Sequence, residues 1–487
     1  MDDDELQKLH VVFFPFMAYG HMIPTLDIAR LFAARGVKTT IITTPVSLPI
    51  VTQAIEKAIK HGSPAIYTEI FSFPSAENGL PDGCETVNQA IKYYMIPKFM
   101  QAVEMLNTPL EQYLEKTRPH CLVSDMFLPW TTDCAAKFNV PRLVFHGTSY
   151  FALCAEEIVR VYKPYKNVSN DEETFILPSL PHEVKMTKSQ FSEDFMKEEL
   201  NESKKEFELI KESEIKSYGV IVNSFYELER DYADFFSKEL GRRAWHIGPV
   251  SLCNRSIEDK AKRGILEASK DEHECLKWLN SKKTNSVIYI CFGSMAQINA
   301  SQMLEIAMGL EASQHDFIWV VKNDRQSEEE LLPQGFEQRM EGKGLIIRGW
   351  VPQLLLLEHE AIGALLTHCG WNSILEGIST GLPMVTWPAC TEQFYNEKLV
   401  TEILKIGVPV GAKKWNVVPY NVDYLVRRNA IEKAIREVME GDEAQERRNR
   451  AMKLKEMALK AVEVDGSSYN DLGVLINELR HNKLKVV

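Results

Sequence analysis

The sequence predicts an α/β protein made of two Rossmann-like parallel-sheet domains facing each other across a cleft. Three observations carry that reading. Strand and helix patterns alternate from the first apolar run onward. A charged stretch poor in apolar residues, Ser251 to Lys270, then interrupts the alternation near mid-chain. Beyond it the alternation starts again and runs towards the C-terminus. At 487 residues, 45% of them hydrophobic, the chain can fill two cores. The expected division is a first domain over residues 1–250, a linker over 251–270 and a second domain over 271–487.

The first half opens with an acidic leader, Met1-Asp2-Asp3-Asp4-Glu5, followed by a continuous apolar strand from Leu9 to Phe16. Pro24 is expected to open the next helix, TLDIARLFAARG, because proline suits a first helical turn, and Gly36 to end it. Met17 to His21 would then form the loop between them. Further strands are expected at Val37 to Thr43, Ala65 to Phe71, His120 to Ser124, Arg142 to His146 and Gly219 to Phe225, with helices around Thr86 to Glu115. In open parallel sheets ligands gather beyond the carboxyl ends of the strands, where His21, Asp125 and His146-Gly147-Thr148 all fall. A polar region from about Tyr162 to Lys216 is long for a loop and is expected to hold short helices.

The second half restarts with a strand from Asn285 to Phe292 running into Gly293-Ser294. Strands at Asp316 to Val321 and Leu345 to Gly349 lead to the most informative segment, WVPQLLLLEHEAIGALLTHCGWNSILEGISTGLPMVTWPACTEQ, 44 residues from Trp350 to Gln393. Within it Ile362 to Thr367 reads as a buried strand, His368-Cys369-Gly370 as a turn and Trp371 to Ser379 as a helix. A helix start carries unpaired N–H groups and the positive end of the macrodipole, so it favours a phosphate. Gly370 lets the backbone approach a ligand. Asn372 and Ser373 lie in the first turn and Glu376 one turn on, nearly on the same face. Taken singly, each is explained as well by helix capping or a solvated charge. Strand Gly407 to Val410 and helices over about 423–440, 444–464 and 467–484 follow.

As a unit the 44 residues closely resemble the plant secondary product glycosyltransferase box of family 1 UDP-sugar transferases, and the resemblance spans nearly the whole chain. It implies the GT-B architecture, with the last helix packing back on the first domain. It also implies a role for each box residue. Trp350 would stack on uracil, and the backbone of Val351 would meet its polar edge. Val351 stands where Ala or Ser is more usual, which a backbone contact tolerates. Gln353 and Glu376 would hold the ribose. His368, Asn372 and Ser373 would hold the diphosphate, approached closely by the backbone at Gly370 and joined by Ser294. Trp371, Glu392 and Gln393 would face the sugar, and a box ending in Gln points to glucose.

Transfer to a hydroxyl needs a base, stabilisation of the leaving diphosphate and exclusion of water. An imidazole has its pKa near neutrality. A lone histidine at a strand end is more often a structural hydrogen-bonder. The pattern FMAYGHMIP, however, matches the family's catalytic histidine, which makes His21 the base and Asp125 its carboxylate partner. Direct displacement on an α-linked UDP-sugar would give a β-glycoside. The N-terminal wording resembles the subgroup that glucosylates flavonoids, terpenoid and steroid aglycones and other phenolics. The alternatives are UDP-galactose, UDP-glucuronic acid or another UDP-sugar as donor, or a catalytically silent UDP-sugar-binding protein. An epimerase or dehydrogenase would need a G-x-G-x-x-G fingerprint, which the first crossover lacks.

Composition bounds the partners. Fifty-six basic against 68 acidic residues give a net charge of −12, which argues against nucleic-acid and anionic-membrane surfaces. No apolar run reaches the ~18 residues of a membrane span. Nine cysteines without a C-x-x-C pair suggest neither a disulfide framework nor a zinc site and point to the cytoplasm. No metal and no cofactor are expected. The partners expected are a UDP-sugar and an apolar hydroxylated acceptor, and the chain is expected to act as a monomer.

Overall fold

Alternate side chains of β1 (His10–Phe14) enter opposite layers, so this short apolar run anchors helices on both faces. Val11 and Phe13 pack with Ile28 and Phe32 of the helix Tyr19–Ala34. Val12 and Phe14 pack with Phe99 and Leu110 on the other side. The structure is a computed structural model that describes residues 9–62, 66–197, 199, 201–264, 272–293, 298–321, 332–416 and 424–482.

The first half continues with β2 (Lys38–Thr43), β3 (Ile66–Ile70), β4 (Cys121–Asp125) and β5 (Arg142–Phe145). β6 (Thr174–Ile176) and β7 (Lys185–Thr187) form a small antiparallel pair of their own, and β8 (Gly219–Val222) and β9 (Ala244–His246) complete the set. The main sheet is parallel throughout, in the order β3-β2-β1-β4-β5-β8-β9. Strand order therefore reverses between β1 and β4, which opens a crevice at their carboxyl ends.

The second half repeats the plan with β10 (Val287–Cys291), β11 (Asp316–Val321), β12 (Gly344–Arg348), β13 (Ile362–Thr367), β14 (Met384–Thr386) and β15 (Gly407–Pro409). These form a second all-parallel sheet, β12-β11-β10-β13-β14-β15, whose reversal lies between β10 and β13. Ile288 and Ile290 face one helical layer with Trp319 and Ile435, while Val287 and Tyr289 face the other with Leu365 and Ile374. The chain is thus a pair of Rossmann-like α/β domains. One apolar cluster runs across their seam, with Phe151 and Phe225 on one side and Trp371 and Phe394 on the other. The helix Ser467–Asn482 lies on the first sheet, burying Leu472, Leu475 and Leu479 beside Val11 and Phe32.

Local structure departs from the sequence reading in three places. The first crossover helix begins at Tyr19, with Pro24 inside it, so His21 sits in its first turn and not in a loop. The region 162–216 contains the β6–β7 pair and a helix of 15 residues, Glu202–Lys216, besides short helices. The charged stretch after Ser251 carries the short helix Ile257–Ala261, and its last residues, 265–270, lie outside those described. Among the described residues no helix is long and apolar enough to cross a membrane.

Candidate active site at the two sheet reversals

β1 and β4 are hydrogen-bonded neighbours, with Phe14 opposite Ser124, so the residues just beyond their ends meet. His21 Nδ1 lies 2.8 Å from Asp125 Oδ2. A carboxylate only accepts here, so Nδ1 carries the proton and Nε2 keeps its lone pair for an incoming hydroxyl. The Asp125 side chain is fully buried while that of His21 is 22% exposed, so the imidazole is the part that faces the cleft. The other carboxylate oxygen accepts the Phe127 N–H at 3.0 Å, and Arg142 holds the Asp125 carbonyl, also at 3.0 Å. Burial lowers the His21 pKa, but the charge and hydrogen bond of Asp125, with a contribution from Glu392, outweigh it and raise the pKa above its usual value. Phe16 and Phe127 approach the imidazole edge-on, giving the base an apolar flank.

Pro24 in the helix interior leaves a mark on the site. It has no N–H to give the Gly20 carbonyl four residues back. That carbonyl accepts the Asn372 side-chain amide of the second domain at 2.6 Å. The residue before the candidate base is thus bonded to the first turn of the candidate phosphate helix.

The second reversal is built similarly. Cys291 of β10 pairs with Thr367 of β13, so the turns after both strands adjoin. His368 is wedged between two glycines. A Cβ on Gly293, whose φ is +74°, would come 2.6 Å from its Cε1, and one on Gly370 2.5 Å from its Nε2. Cys369 between them takes a left-handed φ of 66°, unusual for a residue with a side chain. Its carbonyl is held by Asn396 at 3.0 Å. The helix Trp371–Thr380 starts here with Gly370 at its N-cap, so no side chain caps its first N–H groups. Ser294, assigned to the diphosphate, lies outside the described residues.

The residues assigned to the nucleoside are gathered next to that helix. Gln353 Nε2 donates to Glu376 Oε2 at 2.6 Å and lies 3.4 Å from Ser373 Oγ. Trp350 is 41% exposed, with the Tyr19 ring 5.5 Å away. Val351 is buried, and its carbonyl accepts the Gln353 N–H at 2.8 Å. A carbonyl has two lone pairs, so one remains.

The residues assigned to the sugar divide. Glu392 lies near enough to His21 to shift its titration, and its own carboxyl is raised by burial. The Gln393 amide folds back on its own loop, with Oε1 accepting the Ala389 and Cys390 N–H groups at 2.9 and 3.2 Å. Trp371 is buried, and its indole N–H donates to the Asn223 carbonyl at 2.7 Å. What Trp371 presents at the helix start is therefore backbone and not its ring N–H.

Several participants were not legible as motifs. Asn223 follows β8 and holds Trp371, and Asn396 is bonded in turn by the Ser149 hydroxyl at 3.0 Å. Arg263 pairs with Glu376. Single Asn and Arg residues carry no sequence signal apart from what they touch. His146, the other histidine at a strand end, is buried with Nε2 2.8 Å from Glu214 Oε2. Burial pushes the Glu214 carboxyl up, but the His146 charge and other cations bring it down to about 2. Among the described residues no group of three or more His, Cys, Asp or Glu side chains is arranged to hold a metal ion.

The family described as UDP-glucoronosyl and UDP-glucosyl transferase matches residues 17–458. Scopoletin glucosyltransferase of Nicotiana tabacum is 56% identical over 472 residues, 97% of this chain and 98% of that one. UDP-glucose flavonoid 3-O-glucosyltransferase 7 of Fragaria ananassa is 54% identical, covering 98% of each. Among solved structures, Glycyrrhiza uralensis UGT73P12 in complex with glycyrrhetinic acid 3-O-monoglucuronide superposes with a TM-score of 0.92 at 43% identity, covering 98% of this chain and 97% of that one.

Proposed function

The chain belongs to the UDP-glucoronosyl and UDP-glucosyl transferase family, and from that premise we propose that it moves glucose from UDP-glucose to a hydroxyl of an apolar plant secondary metabolite. The product is a β-O-glycoside. The protein is a UDP-glycosyltransferase of GT-B architecture whose donor is a UDP-sugar. The observation that carries the finer reading is the meeting of the two sheet reversals. The His21–Asp125 pair stands at one, the Trp371 helix start at the other, and Asn372 joins them through the Gly20 carbonyl.

In the proposed reaction His21 Nε2 takes the proton of the acceptor hydroxyl as its oxygen attacks the anomeric carbon. Asp125 stabilises the imidazolium that forms. The bond to UDP breaks on the opposite face, so configuration inverts in one displacement. Charge on the departing diphosphate meets the helix N–H groups, Asn372, Ser373, His368 and Ser294.

Phe16 and Phe127, which flank the base, suit a planar or fused-ring aglycone. Flavonoid or other phenolic acceptors are supported by the names of the relatives, and a terpenoid or steroid acceptor by the ligand of the Glycyrrhiza structure. The proposed domain division is 1–250, a linker 251–270 and 271–487. Nine free thiols favour a reducing, cytoplasmic setting, and we take the working unit to be a monomer.

The test is incubation with UDP-glucose and a panel of phenolic and triterpenoid acceptors, followed by UDP release and a hexose mass shift. Binding of UDP-glucose without turnover on any acceptor would leave a silent sugar-nucleotide binder. No binding at all would reject the donor assignment.

A further inference from the structure

Asp27, Arg263 and Glu376 come from three separate parts of the chain and meet in a buried line at the seam. Arg263 Nε donates to Asp27 Oδ2 at 2.8 Å and Nη1 to Glu376 Oε1 at 2.6 Å. Their side chains are 12%, 5% and 6% exposed in the order Arg263, Asp27, Glu376. Asp27 lies on the helix that carries His21, and its Oδ1 is held by Asn254 at 3.0 Å. The other oxygen of Glu376 is held by Gln353. Gly264, next in the chain, has φ +71°. A Cβ there would come 2.5 Å from Ile23 Cδ1 and 3.4 Å from the Trp350 ring, so the backbone beside Arg263 runs against the candidate uracil platform.

We propose that Arg263 is a positioning residue for the donor. Its guanidinium aims the Glu376 carboxylate at the ribose and ties that carboxylate, through Asp27, to the helix bearing the base. The inference rests on the donor site proposed above. With one lone pair on each Glu376 oxygen committed, to Arg263 and to Gln353, one on each remains for two adjacent ribose hydroxyls. The planar fork of arginine serves two carboxylates from two domains at once, which the single ammonium of lysine cannot do in the same geometry. Without it the buried Glu376 charge is steadied from one side only and can turn away from the ribose.

A plain interdomain tie would make the same contacts, so the test must separate the two. Binding of UDP and of 2′,3′-dideoxy-UDP is measured by calorimetry on the full chain, for the unaltered protein, Arg263→Ala and Arg263→Lys, with thermal melting followed alongside. Expected for Arg263→Ala is a loss of UDP affinity on the order of tenfold with little change for the dideoxy nucleotide, which lacks the hydroxyls Glu376 serves. Arg263→Lys should fall between, and it carries the comparison if the alanine variant does not fold. In a Glu376→Gln background Arg263→Ala should add little. Equal losses for both nucleotides, or none for UDP, overturn the proposal and leave a structural tie or a bystander. If the unaltered chain bound neither nucleotide, the donor site itself would be rejected, an outcome distinct from either.

Discussion

The Asn372 side-chain amide donates to the Gly20 carbonyl at 2.6 Å, joining the start of the second domain's candidate phosphate helix to the residue before His21. Pro24, having no N–H, leaves that carbonyl available. Asn372→Ala should cost transfer efficiency (kcat/KM) about 0.5–1.5 kcal/mol, the net range for one hydrogen bond open to solvent, with the fold retained. Steady-state kinetics with UDP-glucose measure it, and an unchanged kcat/KM would mean that the bond does not serve the reaction.

His21→Ala should lower kcat by about 10²–10⁴-fold, the usual contribution of a general base. Affinity for UDP-glucose, built mainly by the other domain, should stay near normal. Acidic phenols should suffer less than aliphatic alcohols because they lose the proton more readily. Near-normal turnover of an aliphatic alcohol by the variant would exclude His21. His146 is a poor substitute, being buried against Glu214.

Asp125→Asn should alter the pH profile as well as the rate. The base works when neutral, and the His21 pKa is raised because Asp125 outweighs burial. The acid limb of kcat/KM should therefore have its midpoint above the ordinary imidazole value of about 6.5. Removing the carboxylate charge leaves burial dominant and should shift that limb to lower pH, at a lower maximum. The same pair also bears on folding. A raised folded-state pKa contributes stability that is fully present below about 6.5 and is lost as pH rises through the folded value. A limb that stays in place in Asp125→Asn would separate the carboxylate from the titration of His21.

Trp350→Ala should weaken UDP binding by a few kcal/mol through lost burial and stacking. Trp350 is 41% exposed and already lies beside Tyr19, so its removal disturbs little of the core. Calorimetric titration with UDP decides, and an unchanged affinity would take the residue out of the nucleotide site.

UDP-glucose should be preferred several-fold over UDP-galactose and UDP-glucuronic acid in direct competition. The Gln393 amide is anchored by the Ala389 and Cys390 N–H groups, which gives the end of the box one defined shape beside Glu392. Preference for either competing sugar would overturn the glucose assignment.

The alternation of apolar strands and periodic helices declared two parallel-sheet domains, because such strands, buried on both faces, write near-continuous apolar runs. The box from Trp350 to Gln393 and the histidine pattern at His21 were equally plain, since each is a contiguous run of residues. The helix start at Tyr19 was not. Pro24 suits a first turn by local preference, yet tertiary packing carries the helix through it and Asn372 takes up the carbonyl it leaves.

What the sequence by itself determined is therefore the fold class and the order of most strands and helices of the two sheets, together with the residues put forward for the chemistry, because propensity, periodicity and contiguous motifs are local properties. The tertiary structure alone decided which of those residues meet. It set His21 on Asp125, wedged His368 between Gly293 and Gly370, turned the Trp371 indole N–H towards Asn223 and brought Arg263 between Asp27 and Glu376. Apart from His368 and Gly370, which are near neighbours in sequence, these contacts join residues 75 to 236 positions apart. The first two follow from the reversals of strand order between β1 and β4 and between β10 and β13, and the other two from the packing of the two halves along the seam.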